Sequence, residues 1–239
     1  MKQINKKKPT FLYATSPSPC PYLPNKTERK LIAHLKGPDS EKIHENLAKN
    51  GFRRSHSIAY SPICNSCNEC IPVRVNVNDF ILNKSFQRNL KKNSNIECQI
   101  LPPHATIEQY KLFKEYQLSR HYGSDMSSMG LYEYTSMVED TPIDTYIVEY
   151  RFSNGELVAV CLIDKTSDGL SAVYSFFSPN LTNLSLGTYT IIWLIQKAKK
   201  IGLSYVYLGY WIKGSKKMSY KKRFMPLEGL SKKGWNKIK

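Results

Sequence analysis

The chain has 239 residues, is 41% hydrophobic and 12% aromatic, and carries a net charge of +16. It is long enough for a buried core, in one large domain or two small ones, and too apolar for a disordered chain. No run approaches the roughly 20 apolar residues of a membrane helix, and the start MKQINKKKPTFLYATSPSP has no apolar stretch behind its basic patch, so neither a membrane span nor a signal peptide is expected.

Six cysteines without a secretion signal read as reduced cytosolic thiols rather than as a disulfide framework. The cationic surplus draws a polyanion, whether nucleic acid, an anionic membrane surface or an acidic protein.

In chain order, TFLYATSPSPCPYLPN is punctuated by proline and predicts an extended segment. TERKLIAHL predicts a short helix. GPDSEKIHENLAKNG predicts another, opened by Asp39 or Ser40, with Ile43 and Leu47 inward and Gly51 at its end. FRRSHSIAYSP reads as a strand. In PVRVNVNDF, Val73, Val75 and Val77 share one face, and Arg74 and Asn76 the other. The thiols of Cys64, Cys67 and Cys70 in SPICNSCNEC therefore fall in a loop between two strands.

SFQRNLKKN predicts a basic helix, IECQIL a strand, and TIEQYKLFKEYQLSRHY an amphipathic helix opened by Thr106. DTYIVEYRFSNGELVAVCLID is a hairpin that turns at Asn154-Gly155. GLSAVYSFFSP is a strand, LGTYTIIWLIQKAKKIG a helix stopped by Gly202, and LSYVYLGYW a further strand. The tail that follows is dense in lysine.

This order predicts an α+β protein. Residues 101–239 resemble the GNAT class of acyltransferases, and residues 1–100 form a smaller α+β part that carries the cysteines. GNAT enzymes open their long helix at a glycine-rich turn, whose N–H groups meet the pyrophosphate of acyl-CoA. Here NLTNLSLGTYT offers Gly187 alone, which weighs against an ordinary CoA enzyme. Cys98 and Cys161 lie in apolar strand patterns and are expected as core thiols. The loop thiols admit a zinc site, an iron–sulfur cluster, plain structural thiols or a redox pair. Lys213, Lys216, Lys217, Lys221, Lys222 and Arg223, interleaved with Trp211, Tyr220 and Phe224, combine cations with flat groups on which unpaired bases can stack.

Several ordered segments resemble one family. They are SPSPCPYLP, GFRRS, AYSPICNSCNECIPVRV, SRHY, DGLSAVYSFFSP, SLGTYTIIWLIQKAKKIGLSYVYLGYWI and KMSYKKRFMPLE. The chain is similar to the bacterial aspartate/glutamate leucyltransferases, relatives of the eukaryotic arginyl-tRNA–protein transferases. The resemblance implies transfer of leucine from leucyl-tRNA to an N-terminal Asp or Glu of a protein, which creates a degradation signal in the cytoplasm. It also implies tRNA contact for the basic run and Trp211. Because the eukaryotic relatives use cysteines of corresponding segments for a metal or iron–sulfur site, it adds Cys20 to Cys64, Cys67 and Cys70.

The chemistry asks for little apparatus. An aminoacyl ester is already activated, and the acceptor's α-amine, with a reference pKa of ~7.7–8.0, is partly neutral near pH 7. The enzyme must orient the reactants, stabilise the oxyanion and take a proton. It needs no cofactor for this, so any zinc or iron–sulfur cluster has a structural or regulatory part. An acidic acceptor side chain calls for a guanidinium, and Arg53, Arg54, Arg74 and Arg120 all lie in the matching segments. Asp168, Glu149, His121 and Tyr174 are the candidates for proton transfer. Tyr174, Phe176 and Phe177 alternate along one strand, so they divide between core and a leucyl pocket. An acyl-CoA enzyme and a non-catalytic RNA-binding protein are the alternative readings.

Overall fold

The computed structural model describes residues 10–238. The chain runs β1 (Leu12–Ala14), β2 (Ser18–Pro19), β3 (Thr27–Glu28), β4 (Lys30–His34), α1 (Ser40–Lys49), β5 (Arg53–Ser55), β6 (Ile58–Pro62) and β7 (Cys70–Asn76). Then come α2 (Lys84–Lys92), β8 (Ile96–Leu101), α3 (Ile107–Arg120), α4 (Asp125–Ser128), α5 (Leu131–Glu139), β9 (Thr145–Phe152), β10 (Leu157–Lys165) and β11 (Gly169–Phe177). The last elements are α6 (Leu186–Lys200), β12 (Tyr205–Ile212), a 3-10 turn over Lys216–Arg223, β13 (Leu227–Ser231) and β14 (Gly234–Lys237).

The expected α+β architecture is present. An eight-stranded sheet, in the order β14-β13-β7-β12-β11-β10-β9-β8, forms the body. The antiparallel hairpin of β9 and β10 lies towards one edge, followed by β11, the crossover helix α6 and the parallel strand β12, and β11 and β12 are the central pair. Two strands, β7 and β8, enter this sheet from the first hundred residues. A smaller sheet, β1-β4-β6-β5, packs with α1 around Leu35, Ala59 and Ile143.

Helices cover both faces of the large sheet. On one, Val73, Val75, Val77, Cys161 and Ile163 meet Phe86 of α2 and Ile192, Leu194 and Ile195 of α6. On the other, Val160, Leu162 and Phe176 meet Leu112 and Phe113 of α3 and Tyr134 of α5. A strand buried on both faces reads as a continuous apolar run, and β10 is buried from Leu157 through Asp164. Thr106 opens α3 with a capping box, its hydroxyl accepting from the Gln109 amide at 3.2 Å while the Gln109 side chain accepts from the Thr106 amide at 3.1 Å.

Two expectations change. TERKLIAHL is not a helix but β3 and β4, with Leu31, Ile32 and Ala33 paired to Ser61, Tyr60 and Ala59 of β6. So short a segment cannot hold a helix alone, and pairing with β6 decides it. FRRSHSIAYSP is not one strand but the β5–β6 hairpin, which turns at His56 with a φ of 51°.

Candidate active site at the parting of two strands

β11 and β12 pair in parallel over only three positions, Gly169 with Tyr205, Leu170 with Val206 and Ser171 with Tyr207. Beyond them the strands part, and a bulge between Tyr207 and Gly209 bends β12 away. Gly209 has a φ of 72°, a left-handed conformation that suits glycine. Any Cβ there would stand 2.7 Å from the Arg53 guanidinium. That guanidinium, reaching in from β5, donates from Nη2 to the Val173 carbonyl of β11 at 2.8 Å. Arg53 thus lies in the wedge and touches both strands. No carboxylate pairs with it among the described residues.

An aromatic cluster stands at the far end of β11. The Tyr116 ring lies 4.9 Å from Phe177 and 5.5 Å from His121 between centroids. Burial lowers the His121 pKa, and the Lys217 and Arg120 charges lower it further. Phe177 also explains the lone glycine that opens α6, because a Cβ on Gly187 would come 2.9 Å from its ring. The preceding turn is pinned from α2, where Asn89 and Asn93 each donate from Nδ2 to the Leu184 carbonyl at 3.0 Å.

On the far side of the wedge, Lys221 is 3% exposed and donates from Nζ to the Tyr210 carbonyl of β12. Burial, and then the Arg53 charge, hold its amine well below the ordinary lysine range.

The other expected residues divide clearly. Arg54 is enclosed by Asp164: its Nε and Nη2 donate to the two carboxylate oxygens at 2.8 Å each, and Thr145 adds a third bond at 2.8 Å. Arg74 donates to Glu228 at 2.8 Å and lies 3.4 Å from the Tyr205 ring centroid and 4.3 Å from that of Trp235. Both guanidiniums join elements of the fold, and each is already paired with a carboxylate. Arg120 is exposed at the end of α3.

Glu149 is filled by Gln109 and Arg151, at 2.8 and 2.9 Å, on a strand remote from the wedge. Asp168 accepts from Tyr207 and Thr166 at 3.0 Å each, at the paired end of β11. With their oxygens engaged away from the wedge, neither is placed to take a proton there. Tyr174 accepts from Gln117 and packs on Phe113 and Phe176, so it belongs to the core beneath α3. Lys213, Lys217, Lys222 and Arg223 are exposed, and Lys222 lies 5.2 Å from the Trp211 ring centroid. The Lys216 side chain lies outside the described residues. Lys221 is the exception in this run, since its side chain turns inward to the Tyr210 carbonyl.

Sequence reasoning missed the inward turn of Lys221, because nothing in KKMSYKKR separates it from its neighbours. The bulge did have a signal, for Gly209 is an isolated glycine inside a strand pattern.

The thiols of Cys20, Cys64, Cys67 and Cys70 are reduced and partly buried. Burial pushes the Cys70 thiol up to about 12, helped by the nearby Cys64, Cys20 and Cys67 thiols. The four thus lie within electrostatic reach of one another around the start of β7. Soft thiols in this number suit zinc or an iron–sulfur cluster. Among the described residues no three His, Cys, Asp or Glu side chains stand where together they could hold a metal ion.

Comparison with known proteins gives one consistent result. Residues 18–88 match the family described as "Arginine-tRNA-protein transferase, N terminus" and residues 108–231 its C-terminal counterpart. Aspartate/glutamate leucyltransferase of Paramagnetospirillum magneticum is 50% identical over 97% of this chain and 95% of that one. Its Rhodospirillum rubrum counterpart is 51% identical over 95% of this chain and 93% of that one. Among solved structures, L-PGS from Bacillus licheniformis covers 75% of this chain and 52% of that one at 13% identity and a TM-score of 0.47. The chain belongs to the arginine-tRNA-protein transferase family, alongside the aspartate/glutamate leucyltransferases, and is an aminoacyltransferase.

Proposed function

We propose that this protein transfers leucine from leucyl-tRNA to the α-amine of an N-terminal Asp or Glu of another protein, marking that protein for degradation in the cytoplasm. The observation that carries this reading is the Arg53 guanidinium, set in the wedge without a carboxylate partner among the described residues. A half-buried, uncompensated cation favours an acidic ligand. The test is direct. Labelled leucyl-tRNA and a peptide beginning with Asp should give a leucylated peptide, while the Asn counterpart should give far less. Equal transfer to both peptides, or none to either, would overturn the assignment. Among the described residues no helix is long and apolar enough to cross a membrane.

The exposed cations Lys213, Lys217 and Lys222 are the groups we assign to the tRNA backbone. Changing all three to glutamine should weaken tRNA binding and flatten its salt dependence. The slope of log K against log salt should fall by about 0.7–0.9 for each phosphate no longer neutralised. Filter binding across a salt series measures this, and an unchanged slope would exclude these lysines from the tRNA interface.

The four thiols are assigned to one zinc ion or iron–sulfur cluster, which would tie the segment around Cys20 to the start of β7. Bound there, the metal would supply cross-linking, and its loss should lower stability. Elemental analysis after anaerobic purification should find about one site per chain, diminished by Cys64→Ser and by Cys20→Ser. Full stability and activity in metal-free protein would remove the requirement.

A further inference from the structure

Lys221 is a buried amine without a counter-charge among the described residues. Its Nζ donates to the Tyr210 carbonyl, and its residue is 3% exposed. The titratable groups facing it are Arg53, from β5, and Tyr220, beside it on the same turn, whose ring centroid is 5.8 Å from Nζ. Its hydrogen-bond acceptor on β12 is the Tyr210 carbonyl, while the single Tyr210 hydroxyl proton lies between the Gly51 and Tyr60 carbonyls, each 3.0 Å from the oxygen. Among the described residues Lys221 has no carboxylate partner. A charged ammonium next to a guanidinium in such a place is disfavoured twice, by desolvation and by repulsion. A neutral amine fits, with one N–H on the carbonyl and its lone pair free.

Position gives that lone pair a use. Tyr210 directly follows Gly209, the residue against which the Arg53 guanidinium lies. In aspartate and glutamate only a short run of bonds separates the side-chain carboxylate from the α-nitrogen. An acceptor held on Arg53 therefore brings its amine near Lys221.

We propose that Lys221 takes the proton released by the acceptor's α-amine as it attacks the leucyl ester, and returns it to the departing ribose oxygen. The new bond joins the α-nitrogen to the leucyl carbonyl carbon, and the bond from that carbon to the ribose oxygen breaks. The nitrogen loses one proton to Nζ, and the ribose oxygen receives one from it. Lysine ends neutral as it began, and no oxidant or further reactant is needed. This role rests on the proposed leucyl transfer.

The experiment is single-turnover transfer from leucyl-tRNA to an Asp-peptide, run with the full-length protein from pH 5 to pH 9. If the unmodified protein does not transfer leucine, the proposed function fails, and this role with it. If it does, Lys221→Met should slow transfer by about 10²- to 10⁴-fold, the range of a lost general base. Peptide and tRNA affinities should stay within a factor of a few. The low-pH limb belonging to Lys221 should vanish, leaving only the titration of the peptide amine, and small primary amines should partly restore the rate of Lys221→Ala. Circular dichroism checks folding. Should Lys221→Met not fold, Lys221→Gln keeps an N–H for the Tyr210 carbonyl but has no basic lone pair. A folded variant that retains more than about a tenth of the rate with an unaltered pH profile would overturn the proposal.

Discussion

Asp164→Ala is expected to cost about 3–5 kcal/mol of stability, the scale for stranding one member of a buried ion pair. Asp164 is fully buried on β10, and it holds Arg54 of β5 through two bonds of 2.8 Å. Thr145 donates to the same carboxylate at 2.8 Å, and His44 Nε2 of α1 stands 3.8 Å from it. This one carboxylate therefore fastens the small sheet and α1 to the large sheet. Its removal leaves a guanidinium in the interior that water cannot reach. The double change Arg54→Met with Asp164→Leu should recover much of the loss, since no charge is then stranded. Urea unfolding with both variants measures the difference. Equal losses for the single and the double change would show that packing, rather than the charge, is what Asp164 contributes.

Arg53→Lys is expected to weaken acceptor recognition by about 1.5–3 kcal/mol, the worth of a hydrogen bond to a charged group. The KM for an Asp-peptide should rise about ten- to hundredfold, while leucyl-tRNA affinity holds. Lysine keeps the charge but not the fork that binds a carboxylate through two bonds. Gly209→Ala should mimic the loss without touching the arginine, because its methyl group would fall 2.7 Å from the guanidinium and force it aside. Acceptor titrations with Asp-, Glu- and Asn-peptides distinguish the outcomes. Unchanged preference for Asp over Asn in both variants would move the selector away from Arg53.

How far the sequence could be read follows from the range of the interactions involved. Strands and helices with strong local patterns were legible: Val73, Val75 and Val77 alternate because one face of β7 is core, and Asn154-Gly155 turns the hairpin through its own backbone preference. The segment Thr27–His34 was not, because a partner strand some thirty residues later decides its conformation. The arginines show the same limit. Arg53 and Arg54 are adjacent, yet strand alternation sends one into the wedge and the other onto Asp164, 110 residues away. No local pattern distinguishes them, since each role is set by what the far strand presents. The tail was opaque for the same reason. Its strands β13 and β14 complete a sheet begun at β7, and β13 finds its place there only through long-range pairing.

The early parting of β11 and β12 has a consequence for the balance between durability and turnover. Where two neighbouring strands separate, peptide carbonyls that would have met amides across the gap must find other donors. Here side chains supply them: Arg53 serves Val173 and Lys221 serves Tyr210. The cations assigned to the reaction are thus also substitutes for missing rungs of the ladder. A variant that zipped the strands further would gain conventional sheet bonds and lose the opening in which the substrates meet. Selection for a sturdier protein should therefore act elsewhere, in the helices and the small sheet, and leave this unzipped stretch alone.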